Sequence, residues 1–313
     1  MVCCSLGLEW KARPGVLISA STAQGAKSSS SNIKVGSFHF PFSLVSRFLA
    51  QVIVSGACKD IGKAAIAAIS KARGMEVAGA IDTIRVGEDV GEVAGLEALE
   101  VPVSNNLVTV LGSLSQSRPT GVVVDFSEAS EVLENVRQAT AFGMRSVVAV
   151  PGVDLDVVSQ LITFCEKASM GCVIAPTLSI GAILLQEAAI AASFHYSHVD
   201  IVESLQSAKN VYPSSEALRV AKSMTGMGRV YNDSDFSKEH PARGELVDDG
   251  IRIHSMVSPG FISSLAVSLS GPGEVFSLRH DITDVKALMP GLLVAIRRVI
   301  RLQSLVYGLE KIL

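Results

Sequence analysis

Two glycines after an apolar run could place a phosphate-bearing ligand beside a helix. The run 51–55 predicts a buried strand, and Gly56 follows it directly, with Gly62 at the start of a predicted helix. In a dinucleotide-binding turn, the first glycine makes the tight turn, a middle glycine admits the pyrophosphate and the last lets the helix pack closely. Here the middle positions are Cys58 and Lys59. The sequence therefore predicts either a dinucleotide site or a turn that packs without binding a ligand.

Charged residues beside this turn bear on which dinucleotide it would accept. Asp60 would repel phosphate at the helix N-terminus, whereas Lys59 would attract it. Asp82 ends the second predicted strand, 20 positions after Gly62, where a carboxylate binds the ribose 2′-hydroxyl. Thr83 follows it, so no adjacent arginine is available for a 2′-phosphate. If a nicotinamide cofactor binds, we expect NADH rather than NADPH.

The composition argues against several other kinds of site. The cysteines are Cys3, Cys4, Cys58, Cys165 and Cys172, and their spacing fits neither a disulfide framework nor a zinc site, so we expect no metal. The net charge of −3 gives no electrostatic footprint for nucleic acid. No uncharged apolar run reaches about 18 residues, so we expect no membrane span.

Short apolar runs alternate with helical segments through the first half of the chain. The predicted strands are 51–55, 76–81, 121–126, 146–150 and 172–175, and the predicted helices are 63–73, 131–142 and 155–170. Apolar strands separated by helices are typical of a parallel sheet covered on both faces. This part is therefore predicted to be an α/β, Rossmann-like domain whose strand ends position the glycine turn and Asp82.

Beyond residue 176 the pattern changes. Helices are predicted at 181–193 and 216–224, and strands at 199–203, 250–257, 266–269 and 275–280. The last three strands alternate apolar and polar residues, which favours a mixed sheet with one face left to pack or oligomerise. The final stretch, 291–313, is apolar and predicted to be helical. We therefore expect a second, α+β domain with a mixed sheet.

The N-terminal segment differs in composition from the rest. Residues 1–59 contain six basic residues and one acid, and ten serines lie within the first fifty positions. A basic, serine-rich, acid-poor segment is typical of a plastid or mitochondrial transit peptide, although a merely disordered N-terminus would have the same composition. We therefore assign 1–50 to a leader.

Several short motifs, in this order, resemble those of the dihydrodipicolinate reductase family. They are Asp125-Phe126-Ser127, 149–152 (AVPG), 177–181 (TLSIG), 250–255 (GIRIHS) and 289–291 (MPG). Members of this family reduce an unsaturated cyclic dicarboxylate with a nicotinamide cofactor. The resemblance implies that Asp125, Phe126, Ala149 and Gly152 join Gly56, Gly62 and Asp82 in binding the cofactor.

The resemblance also implies a domain organisation. The family's C-terminal helix returns to the first domain, which would then comprise 51–175 and 284–313. The remaining segment, 176–283, would bind substrate and form a homo-oligomer.

In the active-site segment the chain departs from the family. The family signature Glu-x-His-His-x-x-Lys-x-Asp-Ala-Pro-Ser-Gly-Thr-Ala corresponds to 203–217, and the matching residues are Glu203, Lys209, Pro213, Ser214 and Ala217. The histidine pair is replaced by Leu205 and Gln206, and neither side chain is a practical acid at neutral pH. The substrate-binding Ser-Gly-Thr becomes Ser214, Ser215 and Glu216, and Glu216 would repel a dianionic substrate.

Few groups are left to replace the lost histidines. Lys209 is a candidate catalytic cation for the substrate, or else a solvated surface lysine. His254 and His280 lie on alternating strands, and we interpret both as interface histidines whose hydrogen bonds are satisfied.

Three functions are compatible with these residues. Plants have a divergent chloroplast branch that resembles this reductase, the chlororespiratory-reduction type, which implies a non-catalytic stromal factor with protein partners in assembly of the NADH dehydrogenase-like complex. The alternatives are an active reductase of lysine synthesis and a reductase with an altered substrate, in which Lys209 or Tyr212 is the acid. We favour the first, because the phosphate turn, proton donor and carboxylate clamp have all changed.

Overall fold

The computed structural model describes residues 49–115, 121–206, 212–226, 228, 230–232, 244–247 and 250–313. All of these lie within the compact unit Arg47–Leu313. Nearly all of the predicted leader, 1–50, falls outside the described residues, as does Lys209.

Seven strands of the described chain form a parallel sheet in the order β12-β6-β5-β4-β1-β2-β3. The strands are β1 (Ala50–Ser55), β2 (Met75–Ile81), β3 (Val103–Ser104), β4 (Gly121–Asp125), β5 (Arg145–Val148), β6 (Cys172–Ile174) and β12 (Leu305–Tyr307). The helices of this part are α1 (Asp60–Lys71), α2 (Val90–Val93), α3 (Leu107–Ser115), α4 (Val132–Ala141), α5 (Leu155–Ala168) and α8 (Met289–Val299). The predicted Rossmann-like sheet is confirmed.

Strand β1 shows why this sheet forms. Its central residues are all buried, because alternate side chains enter different apolar clusters on the two faces. Val52 and Val54 share one cluster with Ile66 of α1 and Ile296 of α8. Ile53 belongs to a second cluster with Leu111 of α3 and Ala139 of α4. Helices therefore cover both faces of the sheet.

Five further strands form a mixed sheet in the order β11-β10-β7-β9-β8. They are β7 (His198–Leu205), β8 (Glu245–Leu246), β9 (Arg252–Val257), β10 (Ser263–Gly271) and β11 (Glu274–Ile282), and the helices are α6 (Ile180–Ser193) and α7 (Ser215–Thr225). Only β7 and β9 run parallel to each other. Ile201 and Val267 are buried with Ala189 of α6 and Val220 of α7, so the two helices cover one face. This confirms the predicted mixed sheet, while the exact domain boundaries stay a prediction.

The C-terminal segment corrects one expectation. Helix α8 packs on α1 and on the first sheet, as the return of the C-terminal helix requires. However, the prediction that all of 291–313 is helical is wrong, because α8 ends at Val299 and Leu305–Tyr307 adds a parallel strand beside β6. Gly308, with a φ of +97°, then turns the chain. An apolar run without strict helical periodicity did not distinguish the two structures.

Replacing Ile296 with alanine tests the packing of α8 on the first sheet. The side chain is fully buried, so we expect the free energy of unfolding to fall by about 2–5 kcal/mol. Urea denaturation followed by circular dichroism measures the change. Arg297→Ala on the same helix is the matched control, because Arg297 is exposed and its loss should change stability by no more than about 0.5 kcal/mol. Equal effects of the two substitutions would contradict the described packing.

Candidate functional site

The turn between β1 and α1 depends on two close approaches of the backbone. Gly56 has a φ of +77°, and a Cβ there would lie 3.0 Å from the Phe126 carbonyl oxygen. A Cβ at Gly62 would collide with the carbonyl oxygen of Gly56. Glycine at these two positions therefore lets the N-terminus of α1 approach the ends of β1 and β4 closely.

A cleft of about 670 Å³ opens at the carboxyl ends of β1, β2 and β4. The strand order reverses between β1 and β4, and open α/β sheets bind their ligands at such a switch point. Side chains from all three strand ends and from α4 line the cleft, among them Lys59, Asp82, Asn106, Ser127, Glu128, Glu131, Glu134 and Asn135. The cleft therefore has the position and the size of a small-molecule site.

Asp82 lies in this cleft, as the sequence predicted for a ribose-binding carboxylate. Its Oδ2 accepts a hydrogen bond from the Cys58 backbone N–H at 2.8 Å, and its Oδ1 accepts one from Ile84 at 3.0 Å. Each oxygen keeps a second lone pair for a hydroxyl group. Arg85 is nearby in sequence, but its guanidinium lies 2.6 Å from Glu88, which already pairs its charge. This end of the cleft therefore offers carboxylate oxygens that can accept hydrogen bonds from a ribose.

The wall formed by β4 is held by its own side chains. Asp125 is buried, and its two oxygens accept hydrogen bonds from the Ser127 backbone N–H and the Asn135 amide, at 2.9 and 3.0 Å. These contacts give Asp125 a role in shaping the turn after β4. The Ala149 backbone N–H donates to the carbonyl of Asp125, while Gly152 is exposed; neither residue lines the cleft. Their role in binding a cofactor stays a prediction.

Lys59 lines the cleft, whereas Asp60 does not. The Lys59 ammonium donates to the carbonyl oxygens of Phe126 and Ser127, at 2.8 and 3.2 Å, and to Glu128 Oε1 at 2.8 Å. The Asp60 side chain is 94% exposed and lies outside the lining. Because Lys59 crosses the place where a pyrophosphate meets the helix N-terminus, the pyrophosphate end of the cleft does not fit a dinucleotide, although the ribose end does.

A second, smaller pocket is organised by Glu203 on β7. The side chain is 1% exposed, and it accepts hydrogen bonds from the Ser214 backbone N–H at 3.0 Å and from the Ser255 hydroxyl at 2.5 Å. Ser214 in turn caps α7, since its Oγ accepts the Ala217 N–H at 3.2 Å. Glu203 therefore fixes the start of α7 against the mixed sheet.

Only part of the segment that resembles the family signature lies around this pocket of about 20 Å³. Leu205 and Glu216 line it together with Glu203 and Ser214. Gln206 is exposed and donates from Nε2 to the Pro259 carbonyl at 3.4 Å. Ser215 is exposed on the first turn of α7. The structure thus brings Ser214 and Glu216 together, leaves Gln206 and Ser215 outside the lining, and does not describe Lys209.

His280 also faces this pocket, which the sequence interpretation missed. Its Nε2 lies 3.3 Å from the Ser179 hydroxyl, and a Cβ at Gly181 would lie 2.5 Å from the same nitrogen. The start of α6 therefore packs directly on the imidazole. The alternation of residues along β11 indicates that His280 points inward. Leu278 and His280 lie on the same face of the strand, and Leu278 packs on the core. The interface interpretation of His280 therefore stays a prediction, to which the structure adds a place in the lining of this pocket.

Burial raises the pKa of the Glu216 carboxyl above its ordinary value, and the nearby Glu203 raises it further, while Arg219 and His280 oppose the shift. Two carboxylates therefore share one small pocket. A carboxylate at this point of α7 repels an anion that approaches the helix N-terminus, although the N–H groups there would otherwise attract one.

Two other predicted groups lie apart from this pocket. His254 and Ser255 lie on opposite faces of β9, and the Nε2 atom of His254 lies 3.5 Å from Asp200 on β7. Tyr212 is half-buried and does not belong to the lining. Within the described ranges, no three His, Cys, Asp or Glu side chains are grouped as metal ligands. None of the described helices combines the length and apolar composition needed to cross a membrane.

A parallel sheet with a cleft at its switch point, followed by a mixed sheet with its own pocket, defines a two-part reductase scaffold. The chain belongs to the dihydrodipicolinate reductase family. The model of the family's N-terminus matches residues 50–178, and that of its C-terminus matches residues 181–313.

Relatives of known name place the chain within this family. It is 55% identical over 265 residues to the chloroplastic dihydrodipicolinate reductase-like protein CRR1 of Arabidopsis thaliana, covering 84% of this chain and 89% of that protein. It is 44% identical over 270 residues to the 4-hydroxy-tetrahydrodipicolinate reductase of a Nostoc species, covering 84% and 97%. The dipicolinate-bound dihydrodipicolinate reductase of Paenisporosarcina sp. TG-14 matches the structure with a TM-score of 0.71 at 28% identity, covering 85% of this chain and 100% of that one.

Replacing Glu216 with glutamine should stabilise the protein at neutral pH and above. A pKa raised by folding means that the ionised carboxyl is less favourable in the folded state, so the penalty grows as pH rises through the folded pKa. The gain from Glu216→Gln should vanish below the carboxyl's ordinary range. Thermal unfolding at pH ~8 and pH ~3 measures this difference. Glu187→Gln, at an exposed site on α6, is the control, and an equal gain there would contradict the prediction.

Proposed function

We propose that this protein is a plastid member of the dihydrodipicolinate reductase family with a degenerate catalytic site, and that it acts as a stromal assembly factor for the NADH dehydrogenase-like complex. The observation that carries the proposal is the chemistry around the second pocket. Leu205 and Glu216 line it where the family signature has histidine and threonine, and Gln206 is exposed.

The loss of the histidine pair removes the proton donor. Leu205 has no acidic group, and the Gln206 carboxamide is held on the Pro259 carbonyl. Loss of a positioned general acid typically lowers the rate by about 10²–10⁴-fold. This change alone would make turnover slow.

The loss of the carboxylate clamp weakens substrate binding as well. A dicarboxylate would meet Glu216 at the N-terminus of α7, next to the buried Glu203. Both side chains are acidic, so the pocket opposes the charge of the substrate. A change of substrate would explain these two alterations but not the altered turn at Lys59, since any nicotinamide-dependent reductase still needs its dinucleotide.

The location and the role in assembly rest on similarity. The basic, serine-rich N-terminal segment has the composition of a transit peptide, and the Arabidopsis relative is named as chloroplastic. The resemblance to the chlororespiratory-reduction branch supports a stromal role with protein partners. The same resemblance supports a homo-oligomer through the second sheet, whose face opposite α6 and α7 carries small residues such as Ala266, Ser268 and Ser277.

Asp82 supports a preference for NADH over NADPH. Its carboxylate can accept a ribose hydroxyl, and it repels a 2′-phosphate. Arg85, the nearest arginine in sequence, is paired with Glu88. Any nicotinamide dinucleotide that enters this cleft is therefore expected to be NADH.

Two enzymatic alternatives remain, the reductase of lysine synthesis and a reductase with another substrate. The imidazole of His280, which lines the second pocket, favours the latter. Lys209 and Tyr212 are the other acids in this alternative.

Purified protein should show no measurable oxidation of NADH or NADPH with 4-hydroxy-tetrahydrodipicolinate, measured by the absorbance of the reduced nicotinamide. A cyanobacterial reductase assayed in parallel is the positive control. The quadruple variant Leu205→His, Gln206→His, Ser215→Gly and Glu216→Thr should raise any residual rate by about 10²-fold or more, because it restores acid and clamp. Turnover of the wild-type protein at the rate of the cyanobacterial reductase would refute the degenerate site.

In a plant that lacks this protein, the NADH dehydrogenase-like complex should fail to accumulate, as native gel electrophoresis of photosynthetic membranes would show. Reintroducing the wild-type chain should restore the complex. Lys209→Ala should restore it equally, because the proposed role needs no catalysis. If the complex accumulates without this protein, the assembly role is wrong; if Lys209→Ala alone fails, the role depends on this lysine.

A further inference from the structure

We propose that Lys59 determines the ligand selectivity of the first cleft by excluding dinucleotides from its pyrophosphate end. The proposal goes beyond the assembly role and does not depend on it. It concerns the bridge formed by Lys59 with Phe126, Ser127 and Glu128, called here the Lys59 bridge.

The bridge uses the full donor capacity of the ammonium group. Lysine has three N–H donors, and the three acceptors are the carbonyls of Phe126 and Ser127 and the carboxylate of Glu128. The group therefore has no donor free for a phosphate. A pyrophosphate could bind only by displacing one of these acceptors, and each bond to the ammonium is charge-assisted.

The bridge also crosses the place that a pyrophosphate needs. Lys59 is the N-cap residue directly before α1, and its side chain runs from the helix N-terminus to the end of β4. Phosphates bind at such helix N-termini because the free N–H groups point there. Lys59 thus occupies the space in front of the helix while cancelling its own charge with Glu128.

Further carboxylates on the same wall act against an anion. Glu131 and Glu134 line the cleft alongside Glu128, and Asp82 lies across from them. Among the charged side chains of the described lining, Lys59 carries the positive charge, and it is already paired with Glu128. The hydrogen bond from Lys59 also lowers the pKa of the Glu128 carboxyl, so Glu128 stays ionised at neutral pH. The lining therefore opposes the two negative charges of a pyrophosphate.

The backbone allows a clean test of the side chain. Lys59 has a φ of −66° and a ψ of 153°, an ordinary extended conformation. Its side chain makes no capping bond to α1, and glycine is well tolerated at such a position. Lys59→Gly should therefore remove the bridge without distorting the turn, which circular dichroism and thermal unfolding would check.

The experiment is a titration of the full chain with NADH, followed by nucleotide fluorescence, for the wild type and three variants. Lys59→Gly should bind NADH about tenfold more tightly or better, because the crossing side chain is gone. Glu128→Gln should also bind more tightly, because it replaces the carboxylate partner of the ammonium with a neutral, weaker acceptor and removes one negative charge. Glu131→Gln is the matched control, with the same change of charge on the same wall and no contact with Lys59, and it should change the affinity by less than about threefold.

Three outcomes would overturn the proposal. Loss of NADH binding in Lys59→Gly would make Lys59 a phosphate ligand. Equal gains in Glu128→Gln and Glu131→Gln would assign the effect to general charge. No gain in either Lys59→Gly or Glu128→Gln would show that the bridge does not control access. In Lys59→Gly, tighter binding of NADH than of NADPH would in addition support the role of Asp82. None of these results depends on whether the protein assembles a complex.

Discussion

The buried carboxylate of Glu203 is the constraint on which the second half of the molecule depends. A charge removed from water is tolerated only where hydrogen bonds satisfy it, and here the backbone of Ser214 and the hydroxyl of Ser255 do so. These bonds join β7, β9 and the start of α7. Removing one partner would leave a buried charge without compensation, so the arrangement is retained for folding whether or not the pocket binds a substrate. Under the proposed function, this explains how the frame of the pocket can persist without its reactive side chains.

At the first cleft, too, the residues that stabilise the fold are different from those that would contact a ligand. Gly56 and Gly62 are required because backbone atoms approach them closely, and Asp125 is required because it ties the turn after β4. Each of these residues contacts or accommodates other parts of the protein. Lys59, by contrast, lies where a dinucleotide-binding turn has a residue that contacts the ligand. Its ammonium group donates to the Phe126 carbonyl oxygen instead. The residues described here that match the family therefore mainly stabilise the fold. The residues that differ from the family are those that would contact a cofactor or substrate.

Sequence patterns predicted the parts of the structure that are governed by local rules. The buried strand before Gly56 and the position of Asp82 follow from apolar runs and from the fixed spacing of a β-α-β unit. The strand Leu305–Tyr307 was not predicted, because its pairing with β6 is a long-range contact that no local pattern specifies. The place of His280 at the second pocket was not predicted for a similar reason, because its neighbours Ser179 and Gly181 lie about one hundred positions away in sequence. The reach of Lys59 to the end of β4 also depends on the packing of two separate turns.

The two sites share one electrostatic feature, a cluster of carboxylates. An anion would meet Glu128, Glu131 and Glu134 at the first cleft, and Glu216 beside Glu203 at the second pocket. Both places lie at helix N-termini, which favour anions through their free N–H groups. Carboxylates at these points reverse the preference while leaving the backbone in place. A dinucleotide and a dicarboxylate are both anionic, so this shared negative charge opposes both ligands of the family reaction, while the backbone around each site keeps the family fold.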